Sequence, residues 1–164
     1  VIDSAKPNRA HLRLAELERE GKLKAVVTQN IDGLHQAAGS KNVLELHGSI
    51  LRAYCSRCRK PFPADEMNHC KGVPHCSCGG VVRPDIVLYE EPLEMAVMER
   101  AVRYIRNADV LIIGGTSLGV YPAAGLINYY RGKKLALVNL SETPYDRYAD
   151  LVIHAKIGEG FSIV

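Results

Sequence analysis

Two closely spaced cysteine pairs constrain this chain more than any other feature. Cys55-Ser56-Arg57-Cys58 is a C-x2-C pair, and Cys76-Ser77-Cys78 is a C-x-C pair followed by Gly79-Gly80. Two thiolate pairs on tight turns can close a tetrahedron around Zn2+, which takes four such ligands in a structural site. Four thiolates leave no open coordination position, so this metal would fold its segment rather than activate water. Structural zinc supplies roughly 10–16 kcal/mol of apparent binding energy in small modules. His69, Cys70 and His75 lie in the same stretch and could each replace a member of the second pair. Cys76 and Cys78 are favoured because they share one turn and the following glycines let the backbone fold around a metal. All five cysteines fall between Cys55 and Cys78. A disulfide scaffold would spread them through a smaller, loop-rich chain, so the clustering points to metal in a reducing compartment, with the cytoplasm as default.

The cysteine stretch, residues 52–83, is rich in proline, glycine and basic residues and lacks apolar periodicity, so it reads as a small inserted module. On either side, residues 1–51 and 84–164 alternate helical patterns with short apolar runs. Ala10, Leu14 and Leu17 repeat with helical spacing after Pro7-Asn8 and stop at Gly21. A second helix is expected from Glu94 to Asn107, with Val97, Ala101, Tyr104 and Ile105 on one face, and a third from Ala123 to about Arg131. Ala25–Thr28, Val43–Leu46, Asp85–Tyr89, Val110–Ile113, Leu135–Val138 and Leu151–Ile153 are expected strands. Runs without alternation, separated by helices, indicate a parallel sheet covered on both faces. The fold class is therefore α/β, a doubly wound parallel sheet with a small zinc-bearing insertion. No apolar run is long enough to span a membrane. The formal charge of +3 over 164 residues is too weak and too dispersed to argue for nucleic acid.

Several polar groups follow strands, where ligands sit in such sheets. Gly114-Gly115-Thr116-Ser117 lies between a strand and a helix. Its glycines would let the backbone approach phosphate and its hydroxyls would donate, although a plain strand-to-helix turn would look similar. Asn139 could bond a ribose hydroxyl or cap the following turn. Gln29, Asn30 and Asp32 could hydrogen-bond a ribose and a carboxamide, or Asn30 or Asp32 could be a helix N-cap. His47 follows a strand beside Gly48 and could take a proton near neutral pH; a structural histidine is the other reading. His11, His35 and His154 lack a comparable setting and read as structural.

Taken together these pieces resemble the sirtuin family. The matching stretches are Thr28-Gln29-Asn30-Ile31-Asp32-Gly33-Leu34-His35, Leu44-Glu45-Leu46-His47-Gly48, the two cysteine pairs, Arg83-Pro84-Asp85-Ile86-Val87, Gly114-Gly115-Thr116-Ser117-Leu118 and Val138-Asn139. The resemblance implies a Rossmann-like NAD domain with a small zinc-ribbon module, and an acyl-lysine peptide lying in the cleft between them. It implies His47 as general base on the cofactor ribose, and Asn30 and Asp32 in the nicotinamide pocket with Gln29 at the ribose. Gly115, Thr116 and Ser117 would meet the phosphates and adenosine side, and Asn139 the adenine ribose. Val87, Leu88 and Tyr89 would pair, as a strand, with the extended substrate peptide. The implied activity is NAD-dependent protein-lysine deacylation, yielding free lysine, nicotinamide and O-acyl-ADP-ribose.

Two departures bear on that expectation. The family's peptide loop usually reads Phe-Gly-Glu, whereas this chain has Tyr89-Glu90-Glu91. Glu90 removes backbone freedom and adds charge, so peptides basic around the lysine are expected to bind better. The family also opens with a glycine-rich strand–loop–helix that the residues before Ala5 do not supply. The expectation is an incomplete sheet lacking its first strand, and little or no activity from this chain alone. The competing readings are a non-catalytic, zinc-bearing remnant that binds peptides or a partner, and a zinc-ribbon nucleic-acid module.

Overall fold

The computed structural model describes residues 4–64 and 72–161. Helix α1 (Arg9–Arg19) starts where Asn8 caps it: the Asn8 carboxamide oxygen accepts the His11 N–H at 3.1 Å. The His11 ring Nδ1 in turn accepts the Asn8 N–H at 3.2 Å, closing a reciprocal capping box. Next come β1 (Val26–Thr28), α2 (Leu34–Ala37), β2 (Val43–Glu45), β3 (Gly48–Cys55), β4 (Pro61–Pro63) and β5 (Val82–Ile86). Helix α3 (Met95–Arg106) and β6 (Val110–Gly114) follow, then a 3-10 helix (Ala123–Tyr129) and β7 (Lys134–Asn139). A 3-10 turn (Asp146–Tyr148), β8 (Leu151–His154) and α4 (Ile157–Gly160) complete the order.

The parallel strands form two sheets, β1-β2 and β6-β7-β8, while β4-β3-β5 is antiparallel. Helix α3 joins the two parallel sheets. Its Ala101 and Ile105 are buried with Leu44 and Leu46 on one side, and with Leu111 of β6 and Leu126 of the 3-10 helix on the other. The next residue of β6, Ile112, packs instead with Ala10, Leu14, Val138, Ile153, Ile157 and Phe161. Successive side chains of a strand point to opposite faces, so α3 covers one face of β6 while α1 and α4 cover the other. That two-sided cover is the doubly wound arrangement the apolar runs implied. Fully burying side chains such as Leu44 and Leu137, each 2 % exposed, contributes about 1.5–3 kcal/mol apiece.

Two expectations about elements are corrected. The strand expected over Asp85–Tyr89 runs instead over Val82–Ile86, because Arg83 and Val82 pair with Tyr54 and Cys55 of β3. It ends when the Leu88 N–H is taken by the Glu91 carboxylate at 2.9 Å and the chain turns at Tyr89-Glu90. The helix from Ala123 is of the tighter 3-10 kind. Gly125, Asn128 and Tyr129 are poor α-helix formers.

Candidate functional site

The cysteine module is a three-stranded antiparallel sheet with very little core. Among the described residues its apolar core is Ala53, Cys55, Cys76 and Val82, with Phe62 packed beside them. So small a cluster cannot balance the chain entropy of the segment, and the four sulfurs supply what it lacks. Cys55 ends β3, Cys58 lies on the turn after it, and Cys76 and Cys78 lie on the turn before β5. Cys55 Sγ is 3.5 Å from Cys78 Sγ, Cys58 Sγ is 3.7 Å from Cys76 Sγ, and all four lie within 4.8 Å of one another. A Zn2+ tetrahedron with bonds of about 2.3 Å has edges of about 3.8 Å, so these thiols fit the metal. The Cys58 N–H donates to Cys55 Sγ and holds that thiol down, at about 6, against burial, with the Arg57 N–H adding to the effect. Cys76 is lowered likewise, first by the Cys78 N–H. Glycine is required at position 80, where a Cβ would sit 2.6 Å from Cys55 Sγ. His75 is turned away, its Nδ1 on the Val73 carbonyl at 2.8 Å; His69 and Cys70 lie outside the described residues.

The candidate nucleotide residues all sit at or just past the carboxyl ends of parallel strands. Gln29, Asn30 and Asp32 follow β1, His47 follows β2, Gly115 to Ser117 follow β6, and Asn139 ends β7. Within the first group Asp32 is partly spent locally, since its Oδ1 accepts the Leu34 N–H at 3.0 Å at the start of α2. Asn30 is exposed. Gly115 has φ 64 and its N–H donates to the Val138 carbonyl at 3.0 Å, a left-handed conformation that favours glycine. Thr116 Oγ1 accepts the Leu118 N–H at 3.1 Å. Asn139 Nδ2 donates to the Ser141 carbonyl at 2.8 Å, so its side chain also organises the turn beyond it.

His47 is half-buried, and its Nδ1 lies 2.9 Å from the Gln29 carbonyl oxygen. A carbonyl only accepts, so Nδ1 carries the proton and Nε2 is left with a lone pair. Gly48 behind it has φ 75, and a Cβ there would run into the Asp85 carbonyl, so the two strands approach closely at this point. The Val87 N–H donates to the His47 carbonyl at 3.0 Å. His47 is thereby joined to Gln29 on one side and to the segment after β5 on the other.

Around Val87 the sequence reading missed two ion-paired arrangements. Arg83 Nη2 donates to Glu91 Oε2 at 2.9 Å and to the Ile86 carbonyl at 3.0 Å. Arg83 holds the Glu91 carboxyl down, at about 2, with the Leu88 N–H adding to the effect. The turn so closed puts Glu90 at φ 71, a left-handed conformation in a side-chain-bearing residue. Further back, Arg52 bridges Glu45 and Asp85. Neither arrangement carries a local signal, because the partners are separated along the chain and surface charges are common in any soluble sequence.

Comparison with known proteins bears on what these pieces belong to. Residues 1–122 match the model of the Sir2 family. The chain belongs to the Sir2 family. It is 62% identical over 160 residues to an NAD-dependent protein deacetylase of Clostridium tetani, covering 96% of this chain and 65% of that protein. It is 52% identical over 164 residues to the NAD-dependent protein deacetylase of Cutibacterium acnes, covering 100% of this chain and 67% of that one. The chain thus spans just under two thirds of the Clostridium tetani relative. A solved structure described as Sir2 with p53 peptide and NAD+ superposes with a TM-score of 0.92 at 43% identity, over 99% of this chain and 70% of that one. Another, Sir2 bound to acetylated peptide, gives 0.93 at 42% identity, over 99% and 71%. The Rossmann-like α/β fold with an inserted cysteine module is therefore the family's fold. Among the described residues, no helix of this Sir2-family chain is long and apolar enough to cross a membrane.

Proposed function

We propose that this Sir2-family chain is the larger part of an NAD-dependent protein-lysine deacylase with a structural zinc site. The observation that carries the proposal is the His47 ring, oriented by the Gln29 carbonyl so that Nε2 is the basic nitrogen. When bound, NAD supplies an electrophilic ribose carbon with nicotinamide as leaving group and accepts the acyl group. His47 Nε2 takes a proton from a ribose hydroxyl, and the Gln29 carbonyl stabilises the imidazolium so formed. Asn30 and Asp32 are the carboxamide partners, with Gln29 at the ribose. Gly115, Thr116 and Ser117 meet the phosphate and adenosine side, and Asn139 the adenine ribose. Cys55, Cys58, Cys76 and Cys78 hold Zn2+, which fixes the module against the sheet and takes no part in the chemistry.

The acyl-lysine peptide lies along Val87 to Tyr89. Leu88 has both backbone groups engaged with Glu91 and the Val87 N–H is held by the His47 carbonyl, so main-chain pairing falls to the Val87 carbonyl and to Tyr89. Relatives described with p53 peptide and with acetylated peptide support this substrate class. The reduced thiol cluster favours the cytoplasm. The test is acyl-peptide-dependent release of nicotinamide by the zinc-loaded natural protein. Release only in the presence of both NAD and acetyl-lysine peptide supports the reading. Peptide binding without release would replace it with a non-catalytic binding role.

A further inference from the structure

The candidate site draws on segments from two parallel sheets and the antiparallel one, and one side chain ties the antiparallel sheet to the β1-β2 pair. Arg52 of β3 donates from Nη1 to Glu45 Oε2 at 2.8 Å and from Nε to Asp85 Oδ2 at 3.0 Å. Glu45 belongs to β2 of the parallel pair, and its side chain is only 9% exposed. Its other oxygen accepts from Gln36 Nε2 of α2 at 2.9 Å. A run of side chains, Gln36–Glu45–Arg52–Asp85, therefore links α2, β2, β3 and β5.

The positions along each strand give that run its meaning. Glu45 stands just before His47, Asp85 just before Val87, and α2 follows the Gln29–Asp32 segment. Between Glu45 and Arg52 the chain passes through Gly48, whose left-handed φ makes it the natural swivel between the two sheets. Backbone pairing alone leaves that swivel resting on few bonds, among them Val87 N–H to the His47 carbonyl and Ile50 N–H to the Ile31 carbonyl. A planar guanidinium offering two donors in fixed directions to two carboxylates restricts angle as well as distance.

We infer that Arg52 is a positioning residue, which sets the zinc module against the β1-β2 pair so that His47 and the Val87 strand end meet in register. The catalytic half of this inference rests on the deacylase reading; the geometric half does not. A misplacement of about 1 Å at reacting groups can cost on the order of a hundredfold in rate, so an exposed residue remote from the chemistry can still govern it.

The experiment compares Arg52→Met and Arg52→Lys in the zinc-loaded natural protein. It reads zinc stoichiometry, residue-resolved amide exchange, and kcat and KM on an acetyl-lysine peptide. Arg52→Met should keep its zinc, exchange the Val87 amide about tenfold faster with β7 amides unchanged, and lower kcat about tenfold with KM changed less. Arg52→Lys, which keeps charge but loses the fork, should fall between the two. If Arg52→Met loses zinc, Arg52→Lys decides by the same readouts. Unchanged Val87 exchange overturns the inference, and so does faster exchange with wild-type kcat in an active enzyme. A wild-type protein that releases no nicotinamide overturns the deacylase reading, while Val87 exchange still decides the role of Arg52.

Discussion

His47 Nδ1 and the Gln29 carbonyl oxygen lie 2.9 Å apart, joining the chain just past β2 to the chain just past β1. This contact selects the tautomer with a basic Nε2. Replacing His47 by Ala in the natural protein should lower deacylation at least a hundredfold, the scale of a lost general base. Zinc content and thermal midpoint should stay near wild type. Retained turnover would remove His47 as the base.

Glu90 stands at φ 71 where glycine would be unstrained. A left-handed conformation costs a side-chain-bearing residue about 1–2 kcal/mol. Glu90→Gly should recover about 1 kcal/mol, part of it offset by the freer unfolded chain, and raise the unfolding midpoint. The same variant should lose preference for peptides basic around the acyl-lysine. Peptide titrations with basic and acidic flanks check this, and equal affinities in the wild type would count against a role for its charge.

The Arg83–Glu91 pair has a pH signature. The Glu91 carboxyl is held at about 2, below its ordinary 4.5. A carboxylate with a depressed folded value contributes order that is complete above about 4.5 and lost as pH falls towards 2. Leu88 amide exchange should therefore rise over that acid window and not between neutral pH and 5. Arg83→Met should return Glu91 towards its ordinary titration, measured by NMR of its side-chain carbon.

His11 must be neutral for its Nδ1 to accept the Asn8 N–H, and burial pushes its value down. His35, packed against it with ring centroids 4.6 Å apart and the rings tilted by 57°, is lowered first by burial and then by His11. Groups that bind protons more readily when unfolded make stability fall as pH drops below their ordinary value of 6.5. The unfolding midpoint should decrease from pH 7.5 to 5.5, and less steeply in His11→Gln. A flat profile in the wild type would remove both histidines as the cause.

Removing the metal should unfold the cysteine module before the parallel sheets, because its apolar core among the described residues is so small. Cys58→Ser should bind zinc more weakly and expose the β3–β5 amides to exchange, while β6–β8 amides stay protected. Equal loss of protection everywhere would mean that the module and sheets unfold as one unit.

The cysteine spacing, the helical periodicity of Ala101 and Ile105, and the glycines at Gly80 and Gly115 were legible from residues alone. Each depends on near neighbours: a turn, a helix face, or a backbone conformation that a side chain forbids. The order of polar groups after apolar runs likewise pointed to strand ends, because parallel strands leave their ligand-binding edges in loops.

What only the tertiary structure decided involves partners far apart along the chain. The strand before Val87 begins at Val82 because β3 pairs with it, which no local propensity encodes. The bridge from Arg52 to Glu45 and Asp85 exists because two sheets cross at Gly48. The tautomer of His47 is set by the Gln29 carbonyl, which lies just past another strand. A sequence lists which charges and donors are available; direction and distance between distant segments arise only when the chain is packed.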